Sequence, residues 1–73
     1  MNTLVNIVKG GTSEQRRLLM ISIQSDGASA SSAYAYVTGA RVPMLLYQLS
    51  IQKHVKRIYD KHIPVEELFP TKE

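Results

Sequence analysis

The 73-residue sequence contains no cysteine and no tryptophan, and it has a single phenylalanine. Without cysteine the chain can form neither a disulfide nor a thiolate metal site, and two histidines are too few to suggest a structural metal site. A chain this short buries only a modest share of its surface, so its fold gains from any supplement to the core. With disulfides and metals set aside, dimerisation is the supplement that we expect.

Long hydrophobic runs are missing as well. The longest run, residues 42–47, contains a proline and is far too short to span a bilayer. The N-terminus shows neither the basic flank nor the small-residue cleavage site of a secretory signal. A hydrophobic content of 44% is ordinary for a folded domain. We therefore expect an ordered, cytoplasmic protein without a membrane partner.

Charge is scarce overall but unevenly distributed. The net charge is +3, and acidic residues are few between positions 41 and 61, where Asp60 is the single acid. Five bases lie in the same segment: Arg41, Lys53, Lys56, Arg57 and Lys61. This local excess of positive charge favours a polyanionic partner.

The first half of the chain predicts two helices. In "TLVNIVK", residues 3–9, the apolar side chains share one helical face, and a glycine pair follows as a stop signal. Thr12 and Gln15 are spaced as a capping box, so a second helix is expected from Thr12 to about Gln24. Its interior, residues 18–23, is also compatible with a buried strand. We favour a helix because the cap precedes it and no partner strand is visible.

The stretch "SASSAYAYVTG" predicts a short helix made of small side chains. Ser25-Asp26-Gly27 forms the turn before it. Ser29 is a good N-cap, residues 30–38 suit a helix, and Gly39 can take the left-handed conformation that ends it. The spacing places three residues on one face, which we expect to be buried: Ala33, Tyr36 and Val37.

The longest periodic segment predicts an amphipathic helix from Met44 to Tyr59, with Pro43 in its first turn. Its apolar stripe comprises Met44, Tyr47, Ile51, Val55 and Ile58. Leu45 and Leu49 lie off that stripe. Either the apolar face is wide, or these two leucines form a second surface that a partner covers, and we expect them at a dimer interface.

The chain closes on "IPVEELF", which predicts a last helical turn beginning near Pro64. Its Leu68 and Phe69 are expected to dock on the core. The sequence therefore predicts an all-α fold, a compact bundle of about five short helices in a single domain spanning residues 1–73. The ordered core should cover about residues 3–69, with residues 70–73 as a tail.

The order of these signals resembles a known family. The run "GASASSAYAYVTGARVPMLLYQLSIQKHVKRIYDKHIPVEELF" is similar to the second half of a Cro/phage-repressor-type (XRE-like) helix-turn-helix domain. In the resemblance Gly27 is the turn glycine, Ser29 the cap of the recognition helix, and Ala33 and Tyr36 its buried positions. The segment Gly39, Arg41 and Pro43 matches the family's loop, and Ile63, Leu68 and Phe69 match its closing anchor. The implied fold is lambda-repressor-like.

The resemblance implies a small transcription regulator, a repressor acting by occlusion, that binds duplex DNA as a homodimer. The recognition helix, about residues 29–38, would enter the major groove, which is about 12 Å wide and admits a helix with a slim outer face. The DNA-contacting residues expected on this helix and beside it are Ser29, Ala30, Ser31, Ser32, Tyr34, Ala35, Thr38, Arg41, Arg16 and Arg17. Arg41 is the best placed of these for a phosphate.

A second interpretation is a protein-interaction module that keeps the scaffold but has lost DNA binding, because the recognition helix carries no Asn, Gln or Arg. Lys53, Lys56 and Arg57 are read either as a solvated helix face or as a second DNA contact. His54 and His62 are expected at the surface without a metal. We expect no enzymatic activity, since no relay pairs either histidine with an acid, and no cofactor or small-molecule ligand.

Overall fold

The computed structural model describes residues 3–70, and within that range the chain is all-helical. The helices are α1 (Thr3–Gly10), α2 (Ser13–Ser25), α3 (Ala30–Thr38), α4 (Leu45–Tyr59) and α5 (Val65–Leu68). The predicted all-α fold of five short helices is thus confirmed. The predicted tail lies, but for Pro70, outside the described residues.

The helix that might have been a strand, α2, begins at the predicted capping box. The Gln15 amide donates to the Thr12 hydroxyl at 3.1 Å, and the Thr12 amide donates to the Gln15 side chain at 2.9 Å. The far end of the Gln15 side chain also donates to the carbonyl of Ile58 at 3.3 Å. The cap therefore starts α2 and ties it to α4 at the same time.

The turn between α2 and α3 and the end of α3 both use glycine where the backbone requires it. Gly27 lies at φ 117° and Gly39 at φ 83°, conformations that side chains with a Cβ rarely adopt. At Gly39 a Cβ would also approach Val5 Cγ2 to 2.9 Å. The amide of Ala40 then donates to the Ala35 carbonyl at 2.9 Å, which completes the cap predicted for α3.

One core joins the five helices. Helix α2 lies against α3 and α4, α1 packs on α3 and α5, and α5 also contacts α4. The core residues are Leu4, Ile7, Val8, Leu19, Ile23, Ala33, Tyr36, Val37, Ile51, Val55, Tyr59, Leu68 and Phe69. The predicted inner face of α3 is therefore correct, and so is the docking of Leu68 and Phe69 on the core.

The start of α4 differs from the prediction. Pro43 is buried but precedes the helix instead of lying in its first turn, and Met44 is the N-cap with 64% of its surface exposed. Met44 therefore does not belong to the buried stripe, whose far end is Tyr59. The side-chain amide of Gln48 donates to the Pro43 carbonyl at 2.8 Å. That bond fixes the loop against the first turn of α4.

Candidate nucleic-acid interface

Apart from Tyr34, the residues that face outward on helix α3 are short, so most of its outer face is thin. Ala30 and Ser31 are exposed, and Ala35 is half-buried. The inner face, in contrast, is held by the fully buried Ala33 with Tyr36 and Val37. A helix anchored on one side and slim over most of the other can approach a surface closely, except where Tyr34 projects.

Some of the predicted contact hydroxyls are already engaged within the helix. The Ser29 hydroxyl accepts from the Ser32 amide at 3.1 Å and donates to the Ser32 hydroxyl at 3.2 Å. The Thr38 hydroxyl donates to the Tyr34 carbonyl at 2.8 Å. Within residues 3–70, no hydrogen bond is formed by the hydroxyls of Ser31 and Tyr34. These two are therefore the hydroxyls that α3 can offer to a partner without breaking a bond.

Arg16 flanks α3 on the side of α2. Its guanidinium carbon lies 5.8 Å from the centre of the Tyr34 ring, within the range of a cation–π contact. Tyr34 itself is 53% exposed, so the pair lies at the surface. The contact holds a positive charge next to the middle of α3.

Lys9 joins this group and was missed from the sequence. It shares with Arg16, Tyr34 and Thr38 a cleft of about 310 Å³ that opens between α1, α2 and α3. The signal that was present is its position in the last turn of α1, where a cation complements the helix dipole. Lys9 and Tyr34 are 25 residues apart in the sequence, which gave no indication that they line the same cleft.

Arg41 flanks α3 from the other connection, the loop that follows it. Its guanidinium donates to the Ser32 hydroxyl at 3.4 Å, a long contact that leaves its remaining donors to solvent. Within the described residues, Lys9, Arg16 and Arg41 form no salt bridge. The slim face of α3 is therefore bordered by three cations whose charge is not neutralised by a neighbouring carboxylate.

Arg17 is placed differently from the other predicted contacts. It makes two bonds to the Glu14 carboxylate, from Nε at 3.3 Å and from NH2 at 2.9 Å. The hydrogen bond with Glu14 and the charge of that carboxylate raise the pKa of Arg17. Both side chains are 62% exposed. The charge of Arg17 is therefore paired within α2, and the described residues show no contact of Arg17 with α3.

The basic residues of α4 are not brought to α3. Arg57 donates to the Ser22 hydroxyl of α2 at 3.0 Å, and Lys56 lies 3.7 Å from the Asp60 carboxylate. Lys53 is exposed on the outer face of the helix. The described contacts of α4 are mainly with α2 and α5. Two separate basic areas result, one around α3 and one on α4.

His54, expected at the surface and with no acid at a relay spacing in the sequence, is half-buried and pairs with an acid from another part of the chain. Its side chain is only 17% exposed, and Nε2 lies 2.9 Å from the Asp26 carboxylate in the turn before α3. Arg57 donates to Nδ1 at 3.0 Å, so Nε2 carries the hydrogen that Asp26 accepts in the neutral ring. Residues 28 positions apart meet because α2 and α4 pack together. The contact ties that turn to α4.

Leu45 and Leu49, the expected dimer residues, are 62% and 42% exposed. The apolar face of α4 is therefore narrow, and these leucines lie outside it. Residues 3–70 contain no group of three or more acidic, histidine or cysteine side chains that could hold a metal ion. No helix in that range is long and apolar enough to cross a membrane.

The geometry of this surface suits a polyanion. It combines a slim helix, free hydroxyls and unpaired cations on both sides of it, and such groups bind phosphates and base edges. Comparison of the chain with protein-family models, with curated proteins and with solved structures found no match.

Proposed function

We propose that this protein is a small transcription regulator that binds duplex DNA with α3 in the major groove, as a helix-turn-helix protein of the Cro/phage-repressor type does. The observation that carries the proposal is the pairing of a slim outer face on α3 with cations on both sides of it. Phosphates lie along both edges of the major groove, so cations on both sides of an inserted helix are what the groove requires.

The cations on each side of α3 would contact the DNA backbone on that side of the groove. Arg41 follows α3 and would contact the backbone on one side of the groove, while Arg16 and Lys9 would reach the backbone on the other. Base contacts would come from the Ser31 and Tyr34 hydroxyls and from the Ala30 methyl. No bidentate reader is present on α3, so sequence specificity must depend on DNA shape and on the spacing of two half-sites about one helical turn apart. Repression by occlusion is the simplest outcome.

The test is a titration of random-sequence duplex DNA at low and at physiological salt, with Arg41→Ala and Lys53→Ala compared in parallel. Both variants remove one exposed positive charge, but only Arg41 borders α3. We expect Arg41→Ala to weaken binding several-fold and to reduce the salt dependence by about one counterion, while Lys53→Ala leaves both nearly unchanged. Equal losses in the two variants would show that α3 is not the interface.

The second candidate is a protein-interaction module on the same scaffold. It is favoured by the lack of Asn, Gln and Arg on α3 and by the exposed leucines at the start of α4. A folded wild-type protein that fails to bind any duplex even at low salt would overturn the DNA proposal and leave this one.

A further inference from the structure

The cleft between α1, α2 and α3 combines positive charge with apolar side chains. Its charge comes from Lys9 of α1 and Arg16 of α2, and none of the residues that line it is acidic. We call it the Lys9–Arg16 cleft. A DNA phosphate would need only the two cations, so contact with DNA gives the apolar part of the lining no role.

The apolar lining has a floor and a wall. The floor consists of Val5, Val8 and Val37, each of which is 9% exposed or less. The wall is the ring of Tyr34, a residue that is 53% exposed. Core residues are closely packed, so the floor keeps its shape when a ligand enters, and the exposed ring gains free energy when water is removed from it.

We propose that the Lys9–Arg16 cleft binds a small organic anion, a carboxylate with an aliphatic or aromatic body, and that this ligand competes with DNA. Binding of the anion is independent of DNA binding, whereas the competition rests on the proposed function. Nothing in the sequence predicts the cleft, because its residues come from three helices. The expectation that no small molecule binds therefore did not take it into account.

The two cations suit the head of such a ligand. Within the described residues, neither Lys9 nor Arg16 forms a salt bridge. Arg16 contacts the Tyr34 ring, and a guanidinium that meets a ring through its face keeps the N–H groups of its edges, which match the two oxygens of a carboxylate. The Lys9 ammonium is a point charge on a flexible stem and reaches the same head from α1.

The volume of the cleft limits the size of the ligand. The cleft holds about 310 Å³, near the lower end of the range of about 300–1,000 Å³ for ligand pockets in proteins. A carboxylate with a body of about five or six carbons suits such a space. Because a molecule of this size makes few contacts, we expect a dissociation constant in the millimolar range.

The effect on DNA binding follows from charge. A bound carboxylate neutralises one positive charge on one side of α3 and occupies the space that a phosphate would take. The affinity for duplex DNA should then fall several-fold, with about one counterion fewer in its salt dependence. The anion would thus act as an inducer that releases the regulator from DNA.

The first test is an NMR titration of the free protein at constant ionic strength, followed through the methyl resonances of Val8 and Val37. Benzoate and hexanoate carry both a charge and an apolar body, acetate lacks the body, and benzyl alcohol lacks the charge. We expect at least one of the first two to bind in the millimolar range, and acetate and benzyl alcohol to bind at least tenfold more weakly. No response to either larger anion up to about 50 mM, or equal binding of acetate or benzyl alcohol, would overturn the proposal.

Arg16→Gln and Arg17→Gln are the matched variants. The two arginines are adjacent and exposed, and each substitution removes one positive charge, but Arg17 is paired with Glu14 and does not line the cleft. Arg16→Gln should weaken binding of the anion at least fivefold, while Arg17→Gln leaves it unchanged. Circular dichroism checks that both variants fold. Equal losses would mean that the anion responds to net charge alone, which would overturn the proposal.

The second test repeats the titration of wild type with duplex DNA, at constant ionic strength, with the cleft saturated by the tighter of the two anions. DNA binding should weaken several-fold, whereas benzyl alcohol at the same concentration should not change it. A protein that binds the anion but no DNA would overturn the proposed function and support the anion site. An affinity for DNA that the bound anion does not change would overturn the competition.

Discussion

Helices α3 and α4 leave opposite kinds of side chain uncovered. The outer face of α3 offers methyl groups, hydroxyls and bordering cations, whereas the first turns of α4 offer large aliphatic side chains. Both helices are held by equally apolar inner faces, with Ala33 on α3 and Ile51 on α4 fully buried. The difference between them therefore lies in their outer faces and not in how each helix is anchored.

The two outer faces suit two different environments. A polyanion keeps its ordered water and is bound by hydroxyls and cations, so a slim polar helix is sufficient. Large aliphatic groups gain free energy only when water is removed from them, which requires a close-fitting apolar partner. Because the chain is small, its five short helices cannot cover every large side chain that they carry.

The largest expected difference is between truncations of one side chain on each face of α4. Ile51→Ala removes fully buried atoms and leaves a cavity, so we expect a loss of about 2–5 kcal/mol in the free energy of unfolding. Leu46→Ala should change it by no more than about 0.5 kcal/mol in dilute protein, because Leu46 is exposed. Urea denaturation measures both.

If Leu46→Ala cost as much as Ile51→Ala, the outer face of α4 would belong to the core and would not be a free surface. The measurement should be made in dilute protein, so that any self-association does not contribute to the measured folding stability.

A second prediction concerns a buried hydroxyl on the inner side of α4. Among the described residues, the buried Tyr59 hydroxyl has no hydrogen-bond partner. Burial raises the pKa of Tyr59, an effect that the nearby charge of Arg16 partly opposes. Above a pH of about 10 the unfolded chain releases this proton while the folded chain keeps it, so stability falls as pH rises toward the folded pKa.

Tyr59→Phe should remove that alkaline loss, whose slope for one group cannot exceed about 1.4 kcal/mol per pH unit. At neutral pH the variant should be as stable as wild type or slightly more stable, since no hydrogen bond is lost. Thermal unfolding from pH 7 to pH 11 measures both effects. Tyr34→Phe changes an exposed ring and is the control, which should keep the alkaline loss of folding stability. A stability profile of Tyr59→Phe that runs parallel to that of wild type would contradict the assignment.

Local signals were enough to predict the helices. The Thr12 capping box, the Ser29 cap and the left-handed Gly39 each depend on residues within a few positions of one another, and all three are present. The boundary that failed was the start of α4. A proline is acceptable in a first helical turn, but the Gln48 side chain binds the Pro43 carbonyl and holds that residue outside the helix.

Contacts that depend on packing could not be predicted in the same way. Lys9 lines one cleft with Arg16 and Tyr34 only because α1, α2 and α3 converge, and His54 meets Asp26 only because α2 lies against α4. The Arg17 pairing with Glu14, in contrast, was visible as a three-residue spacing on a helix and should have been expected. Exposure of the α4 leucines was left open because periodicity gives the direction of a side chain but not what covers it.

The last prediction compares how the two helices begin. Helix α3 starts with a side-chain cap from Ser29, whereas α4 starts at Met44 with no side-chain cap, although both residues have the extended backbone that a cap needs. Ser29→Ala should therefore cost about 1 kcal/mol of stability, and Met44→Ser should add roughly 0.5–1 kcal/mol by giving the first turn of α4 an acceptor.

Met44→Ala is the control for that gain, because it removes the same exposed side chain without supplying an acceptor. Denaturation midpoints of the three variants would separate the effects. Equal stability of Met44→Ser and Met44→Ala would mean that the free amides at the start of α4 are already satisfied by water. A gain confined to Met44→Ser would show that the apolar residue at the start of α4 lowers folding stability because it supplies no acceptor.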